Sequence, residues 1–128
     1  MGKNYKILIV EDEEELLEMY KTKLETEGFD VYIASDGDAG YMIAKSSLPD
    51  LILLDILMPK VDGYTMLKKL KQDESTQNVP AVIFSNLSQK EEIEKGFKLG
   101  ARDYIIKTSI TPGELVERVK GFLEKYKK

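Results

Sequence analysis

The chain has 128 residues and a formal net charge of -4, and 42% of its residues are hydrophobic and 33% charged. These values are typical of one globular domain; no stretch approaches the roughly 20 apolar residues of a membrane span, and the negative charge argues against direct binding to a nucleic-acid backbone. The chain contains neither Cys nor His, which excludes cysteine nucleophiles, Ser-His-Asp triads and zinc sites built from His and Cys.

Apolar runs rich in β-branched residues alternate five times with segments of helical periodicity. This is the pattern of βα units around a parallel sheet. The predicted strands cover residues 6–10, 30–34, 51–54, 80–84 and 103–106. We therefore predict an α/β fold with a single five-stranded parallel sheet, doubly wound by helices on both faces. No linker or repeat interrupts the pattern, so we expect one domain over residues 1–128.

The predicted helices have recognisable ends and one apolar face each. The first ends at Gly28. Ser88 with Glu91 fits a capping box before the fourth helix. Thr111 with Glu114 fits another before the fifth. The apolar faces of the first and last helices, which we expect to pack in the core, consist of Leu16, Leu17, Tyr20, Leu24, Leu115, Val116, Val119, Phe122, Leu123 and Tyr126.

Five polar side chains that could form one site follow four of the predicted strands. Glu11 and Asp12 follow the first strand, Asp55 the third, Ser85 the fourth and Lys107 the fifth. The carboxyl ends of the strands in an open parallel sheet line one crevice, so these five side chains are expected to share it. Three carboxylates, a hydroxyl and an ammonium indicate a site for a hard metal cation and a phosphoryl group.

Some of these acids have a simpler interpretation. Glu11 and Asp12 open a run of five acids, and acids in the first turn of a helix are stabilised by the macrodipole. We assign that role to the last three acids of the run. Asp55 is different, because Pro59 and Gly63 predict a loop after it and leave no helix for it to cap.

The predicted chemistry is phosphoryl transfer to a carboxylate. Clustered carboxylates repel one another, and a bound Mg²⁺ would relieve that repulsion. Asp55 would then act as the nucleophile and form an acyl phosphate. Lys107 and Ser85 would supply the cation and the hydroxyl donor that neutralise charge on the phosphoryl oxygens.

Four segments carry a resemblance to a known family. They are VED ending at Asp12, DILMPKVDG from Asp55, IFS ending at Ser85, and DYIIK ending at Lys107. With these segments the chain resembles, over essentially its whole length, the receiver domains of bacterial two-component response regulators, including the chemotaxis regulators. The resemblance implies a flavodoxin-like fold with strand order 2-1-3-4-5.

The resemblance also implies a mechanism. Asp55 would accept a phosphoryl group from a phosphohistidine on a sensor histidine kinase or a histidine phosphotransfer protein. Mg²⁺ would be held by Asp12, Asp55 and the backbone carbonyl of Leu57, with Glu11 acting through water. Lys107 would pair with the phosphoryl oxygens.

Phosphorylation is further expected to switch a surface. Ser85 would move toward the phosphoryl group, and Tyr104 would turn inward as the loop after Ser85 closes. The face made by the fourth helix, the fifth strand and the fifth helix would report this state to a downstream target or output domain. We expect a cytoplasmic signalling switch, monomeric or weakly dimeric and without an output domain in this chain, which catalyses only its own phosphorylation and dephosphorylation.

The chain departs from the family pattern at three positions. Thr108 stands where the family usually has Pro, Ser85 replaces the commoner Thr, and Asn86 occupies a position where a small residue is frequent. The first departure bears on the loop after the fifth strand, and the third bears on access to the phosphoryl group.

Two other functions are compatible with parts of the pattern. A metal-dependent phosphohydrolase with a nucleophilic Asp normally has a second acid two residues after it, where this chain has Leu57. A degenerate receiver would bind partners without being phosphorylated, although all five site positions carry competent residues. Labelling of Asp55 by a phosphodonor in the presence of Mg²⁺ distinguishes these functions.

Overall fold

The computed structural model describes residues 4–126, in which strands and helices alternate along the chain. The strands are β1 (Lys6–Val10), β2 (Asp30–Ala34), β3 (Leu51–Leu54), β4 (Ala81–Ser85) and β5 (Asp103–Ile106). The helices are α1 (Glu14–Thr26), α2 (Gly37–Ser47), α3 (Gly63–Gln72), α4 (Lys90–Lys98) and α5 (Pro112–Tyr126), and a 3-10 turn covers Lys107–Ser109. No helix in this part of the chain is long and apolar enough to cross a membrane.

The five strands form one parallel sheet in the order β2-β1-β3-β4-β5, which confirms the predicted fold. Strand β4 begins and ends one residue later than the predicted range 80–84. Pro80 has no N–H to give to the ladder, and its carbonyl accepts a hydrogen bond from Ile52 at 2.9 Å. Ser85 is therefore the last residue of β4 and not the first residue after it.

Helices cover both faces of the sheet, as doubly wound folds require. Helices α1 and α5 cover the first face, where the buried residues are Ile7, Ile9, Leu17, Tyr20, Leu24, Leu51, Leu53, Val82, Phe84, Ile105, Leu115, Val116, Val119, Phe122 and Leu123. Helices α2, α3 and α4 cover the second face. The buried residues there are Leu8, Val10, Ala34, Ala44, Ile52, Leu54, Ile56, Met66, Leu67, Leu70, Ala81, Ile83 and Ala101. The predicted core faces of the first and last helices are confirmed, with Leu16 and Tyr126 at their half-buried edges.

The ends of α1 and α5 follow the sequence signals. Gly28 adopts a φ of 96° and its N–H donates to the Glu25 carbonyl at 3.0 Å, while the Phe29 N–H donates to the Leu24 carbonyl. This glycine-terminated pattern satisfies carbonyls that the helix leaves free. The capping box before α5 is also confirmed, because the Thr111 N–H donates to Glu114 Oε1 and the Glu114 N–H donates to Thr111 Oγ1.

The capping box predicted from Ser88 and Glu91 is wrong. Helix α4 begins at Lys90 after Gln89, and the Gln89 N–H donates to Glu92 Oε1 at 3.1 Å. Two adjacent glutamates allow two registers for a Glu three residues after a cap. The usual preference for serine as a cap selects the register that the structure does not use.

Candidate functional site

One positively charged and two negatively charged side chains meet at the carboxyl end of the sheet. Lys107 Nζ donates to Asp55 Oδ2 at 2.8 Å and also to Glu11 Oε1. The exposed fractions are 2% for Glu11, 7% for Asp55 and 9% for Lys107, so all three are buried. Lys107 follows β5 at one edge of the sheet and reaches across the end of β4 to the two carboxylates.

Backbone hydrogen bonds hold both carboxylates level with each other. The Glu11 N–H donates to the Ala34 carbonyl and the Asp55 N–H donates to the Val10 carbonyl, each at 3.0 Å. The ladder of the sheet is thus extended one residue past the ends of β1 and β3. The carboxylate oxygens that do not contact Lys107 are also hydrogen-bonded. Glu11 Oε2 accepts from the Glu13 N–H at 2.9 Å, and Asp55 Oδ1 accepts from the Ile56 N–H at 2.7 Å.

Burial and pairing oppose each other in the electrostatics of the site. Burial raises the pKa of Glu11, although the hydrogen bonds from Lys107 and from the Glu13 backbone act in the other direction. Burial alone would lower the pKa of Lys107, but the hydrogen bonds to Asp55 and Glu11 outweigh it and raise that pKa. The ammonium therefore stays charged and compensates the two buried carboxylates.

A third carboxylate lies at the solvent side of the cluster. Carboxylate oxygens of Glu11, Asp12 and Asp55 all lie within 4.8 Å of one another, and Asp12 is exposed while the other two are buried. The donors are all oxygen, the ligand type that Mg²⁺ prefers. The sequence-predicted acids are thus brought together in an arrangement whose chemistry fits that ion.

Ser85 and Tyr104 are connected through one backbone residue. The Leu87 N–H donates to Ser85 Oγ at 3.3 Å, and the Tyr104 hydroxyl donates to the Leu87 carbonyl at 2.7 Å. Ser85 is buried and Tyr104 is half-buried. Burial raises the pKa of Tyr104 to about 12, so its hydroxyl keeps its proton at neutral pH and acts as a hydrogen-bond donor. These two hydrogen bonds join Ser85 and Tyr104 to the start of the segment that leads into α4.

Two positions that depart from the family pattern contact each other. The Thr108 N–H donates to Asn86 Oδ1 at 3.1 Å, and both residues are exposed. A proline at position 108 has no N–H and could not make this bond. The two departures therefore complement each other, and together they join the segment after β4 to the segment after β5.

Leu57 lies in the β3–α3 loop, which we define as residues 55–62, and its side chain is 61% exposed. The loop returns to its own start, because the Gly63 N–H donates to the Ile56 carbonyl at 2.9 Å. A Cβ on Gly63 would lie 2.1 Å from the Asp55 carbonyl oxygen. Only a glycine permits this approach. Gly63 therefore lies directly against the backbone of Asp55.

The structure thus brings together Glu11, Asp12, Asp55 and Lys107, and it places Ser85 at the end of the neighbouring strand. The sequence interpretation missed two features. It assigned Lys107 to phosphoryl oxygens and overlooked its pairing with Glu11. It also treated Asn86 and Thr108 separately, although the sequence contains one signal: Thr108, unlike the usual proline, has a backbone N–H that can donate to a side-chain amide.

The sequence matches the family model described as "Response regulator receiver domain" over residues 7–120. Over 124 residues the chain is 40% identical to the alkaline phosphatase synthesis transcriptional regulatory protein PhoP of Bacillus subtilis, covering 95% of this chain and 50% of that protein. It is 37% identical to the DNA-binding dual master transcriptional regulator RpaA of Synechocystis, covering 94% and 49%. A solved receiver domain protein (CheY-like) from Methanospirillum hungatei is similar with a TM-score of 0.89 and 27% identity, covering 98% of both chains.

The chain spans about half the length of the curated relatives it matches. Both relatives named above are transcriptional regulators by name. The expectation that this chain makes no direct contact with nucleic acid therefore stays a prediction.

Proposed function

This chain belongs to the response regulator receiver domain family, and on that premise we propose that Asp55 is the residue that accepts the phosphoryl group. Receiver domains are phosphoacceptors in two-component signalling, and the chain is a signalling domain and not an enzyme in the usual sense.

The observation that carries the proposal is the position of the Asp55 carboxylate. It is buried at the carboxyl end of the central strand β3, with Lys107 Nζ 2.8 Å from one of its oxygens. In the proposed reaction a carboxylate oxygen of Asp55 attacks phosphorus and forms the new O–P bond. The N–P bond of a phosphohistidine breaks, and the imidazole of the donor protein leaves with the electron pair.

The remaining residues would prepare the carboxylate for this attack. Asp12, Asp55 and the backbone carbonyl of Leu57 would hold Mg²⁺, and Glu11 would act through water. Bound there, Mg²⁺ supplies positive charge that screens the carboxylates from the incoming phosphoryl oxygens. Lys107 would exchange part of its pairing with Glu11 and Asp55 for a phosphoryl oxygen, because its ammonium is already at hydrogen-bond distance from the acceptor.

Ser85 and Tyr104 would convert phosphorylation into a change at the surface. Ser85 Oγ now accepts a hydrogen bond from the Leu87 N–H, so movement of the hydroxyl toward a phosphoryl oxygen would change its contact with Leu87. The Tyr104 hydroxyl is bonded to the Leu87 carbonyl and would follow that change. The surface formed by α4, β5 and α5 would then present a different face to a target protein or output domain.

The proposed partners follow from the same chemistry. The chain has no histidine of its own, so the phosphohistidine would come from a sensor histidine kinase or a histidine phosphotransfer protein. Such phosphohistidines are made from ATP, and we accordingly place the reaction in the cytoplasm. We further propose that the domain acts as a monomer or weak dimer.

Intact-mass spectrometry after incubation with acetyl phosphate and Mg²⁺ tests the proposal. We expect the wild-type chain to gain one phosphoryl group, and we expect no gain for Asp55→Asn or in the presence of a chelator. Dephosphorylation can hide an adduct, so a second readout is the rate of acetyl phosphate consumption. An Asp55→Asn variant that is labelled as fast as the wild type would refute the assignment of Asp55.

A further inference from the structure

The start of α2 lies directly against the β3–α3 loop. The Gly37 N–H donates to the Val61 carbonyl at 3.1 Å. A Cβ on Gly37 would lie 2.4 Å from the Val61 carbonyl oxygen and 2.7 Å from Val61 Cγ1. These distances are far shorter than van der Waals contact. Any residue other than glycine at position 37 would therefore push the helix and the loop apart.

The backbone conformation of Gly37 does not explain why glycine stands there. Among the glycines of residues 4–126, positive φ angles occur at Gly28 and Gly100, and Gly37 is not one of them. An alanine could adopt the φ of Gly37 without strain. The close approach to Val61 is thus the physical reason for a glycine at this position.

A second contact joins the same two segments one residue earlier in each. Lys60 adopts a left-handed φ of 64° and its Nζ lies 3.8 Å from Asp36 Oδ2. Asp36 is the N-cap of α2, because its Oδ1 accepts from the Ala39 N–H at 2.9 Å. The loop is thus seated on the cap and on the first residue of α2.

These contacts with α2 are made by the β3–α3 loop, which also carries Leu57, a proposed metal ligand. The β3–α3 loop starts at Asp55, contains Leu57 and ends where Gly63 touches the Asp55 carbonyl. Gly63 closes the two ends of the loop on each other, and Gly37 supports the loop near Val61. The position of the Leu57 backbone relative to Asp55 therefore depends on α2 as well as on the strand.

We propose that Gly37 is a positioning residue for Mg²⁺ binding: the absence of a side chain on it lets the N-terminus of α2 hold the β3–α3 loop in the conformation that the metal requires. The inference rests on the proposed function, which places Mg²⁺ at the acids and at the Leu57 carbonyl. It extends that function to an element, α2, that contributes none of the proposed ligands.

An added methyl group at position 37 would displace the loop more readily than the helix. One turn later α2 packs closely on the core, since a Cβ on Gly40 would lie 2.9 Å from Met66 Sδ and 3.0 Å from Val10 Cγ2. Moving α2 outward would open that packed contact. The loop has exposed residues at Leu57 and Lys60 and can move toward solvent at a lower cost.

Gly37→Ala and Gly40→Ala form a matched pair for the test. Both place an alanine in the first turns of α2 with a similar gain in helix propensity. The methyl group at position 37 meets a backbone carbonyl of the loop, whereas the methyl group at position 40 meets the flexible end of Met66 and one side-chain methyl. The two variants therefore direct their strain at the loop and at the core, respectively.

The measurement is an amide NMR titration with MgCl₂, with urea unfolding of each variant alongside. For Gly37→Ala we expect about tenfold weaker Mg²⁺ binding than wild type, a size typical for residues that support metal ligands without touching the ion. For Gly40→Ala we expect unchanged Mg²⁺ affinity, whatever its effect on stability. A loss of affinity confined to Gly37→Ala separates positioning from general destabilisation.

Other outcomes overturn the inference. A Gly37→Ala variant that binds Mg²⁺ as tightly as wild type, or an equal loss in Gly40→Ala, refutes the role of Gly37 while leaving the proposed function intact. A wild-type protein that does not bind Mg²⁺ refutes both. If Gly37→Ala does not fold alone, it is combined with Gly121→Ala, which adds helix propensity in α5 at a position where a Cβ meets nothing within 4 Å. Mg²⁺ affinity in that double variant equal to that of Gly121→Ala alone refutes the proposal.

Discussion

The two loops that flank Asp55 are held in place by different kinds of contact. The β3–α3 loop is fixed by backbone contacts at Gly63 and Gly37, which no side-chain rotation can relieve. The segment after β4, residues 86–89, is tied by single hydrogen bonds that involve the side chains of Ser85, Asn86 and Tyr104. The first arrangement preserves one geometry, whereas each bond of the second can be exchanged for another. We therefore expect the first loop to hold Asp55 in place and the second to change when Asp55 is phosphorylated.

The helices that follow these loops show the same difference. Helix α3 buries Gly63, Met66, Leu67 and Leu70, whereas among the described residues of α4 only Gly96 is buried. Elements with little buried surface are displaced at low free-energy cost. We therefore expect α4 to move on phosphorylation and α3 to stay in place.

Gly63→Ala should have the largest effect, because it disturbs the β3–α3 loop at its close approach to Asp55. The new methyl group would meet the Asp55 carbonyl oxygen at 2.1 Å, and we expect the free energy of unfolding to fall by about 3 kcal/mol, the upper part of the usual range for overpacking. Urea unfolding measures it. The control is Gly121→Ala in α5, where a Cβ meets nothing within 4 Å; it should stabilise by about 0.5 to 1 kcal/mol. Equal stability of the two variants would contradict the close approach.

Tyr104→Phe should destabilise the segment at residues 86–89, with a smaller loss of stability than Gly63→Ala causes. It removes the hydrogen bond to the Leu87 carbonyl, and we expect a loss of about 1 kcal/mol together with faster hydrogen exchange in α4. Tyr126→Phe is the control, because its hydroxyl donates to the Arg102 carbonyl in an exposed setting at 3.3 Å. If exchange in α4 were as slow in Tyr104→Phe as in the control, the tie between Tyr104 and α4 would be refuted.

The bond between Asn86 and Thr108 should have the smallest effect. Its atoms are exposed, so we expect Asn86→Ala to cost only about 0.5 kcal/mol. A double-mutant cycle with Thr108→Pro, which removes the donor N–H, isolates the bond. Each single variant should lose the contribution of the bond, and the double variant should lose no more of it than either single variant. Strict additivity of the two substitutions in urea unfolding would mean that the bond contributes nothing to stability.

The sequence predicted the sheet because each predicted strand is a largely apolar run that ends at the residue before a polar side chain. β4 was misplaced by one residue because Pro80 looks like part of the run but cannot donate to the ladder. The start of α4 was misplaced because Glu91 and Glu92 are adjacent and allow two caps. Local patterns therefore identified each element, and errors arose where two local readings were equally good.

The candidate site was predictable residue by residue, since the ends of parallel strands share one edge. The contacts between its parts were not predictable. The pairing of Lys107 with Glu11 joins residues 96 positions apart, and the approach of Gly37 to Val61 depends on how α2 packs on the sheet. Such contacts have no local sequence pattern, because they arise only when distant segments come together.

The most direct test of the division between a fixed and a responsive loop is amide NMR of the wild-type chain with Mg²⁺, before and after addition of beryllofluoride as a phosphoryl mimic. We expect large shift changes at residues 85–98 and 104–108. With Mg²⁺ present in both states, we expect residues 58–70 to change little. Changes at residues 58–70 that equal or exceed those in α4 would contradict the account.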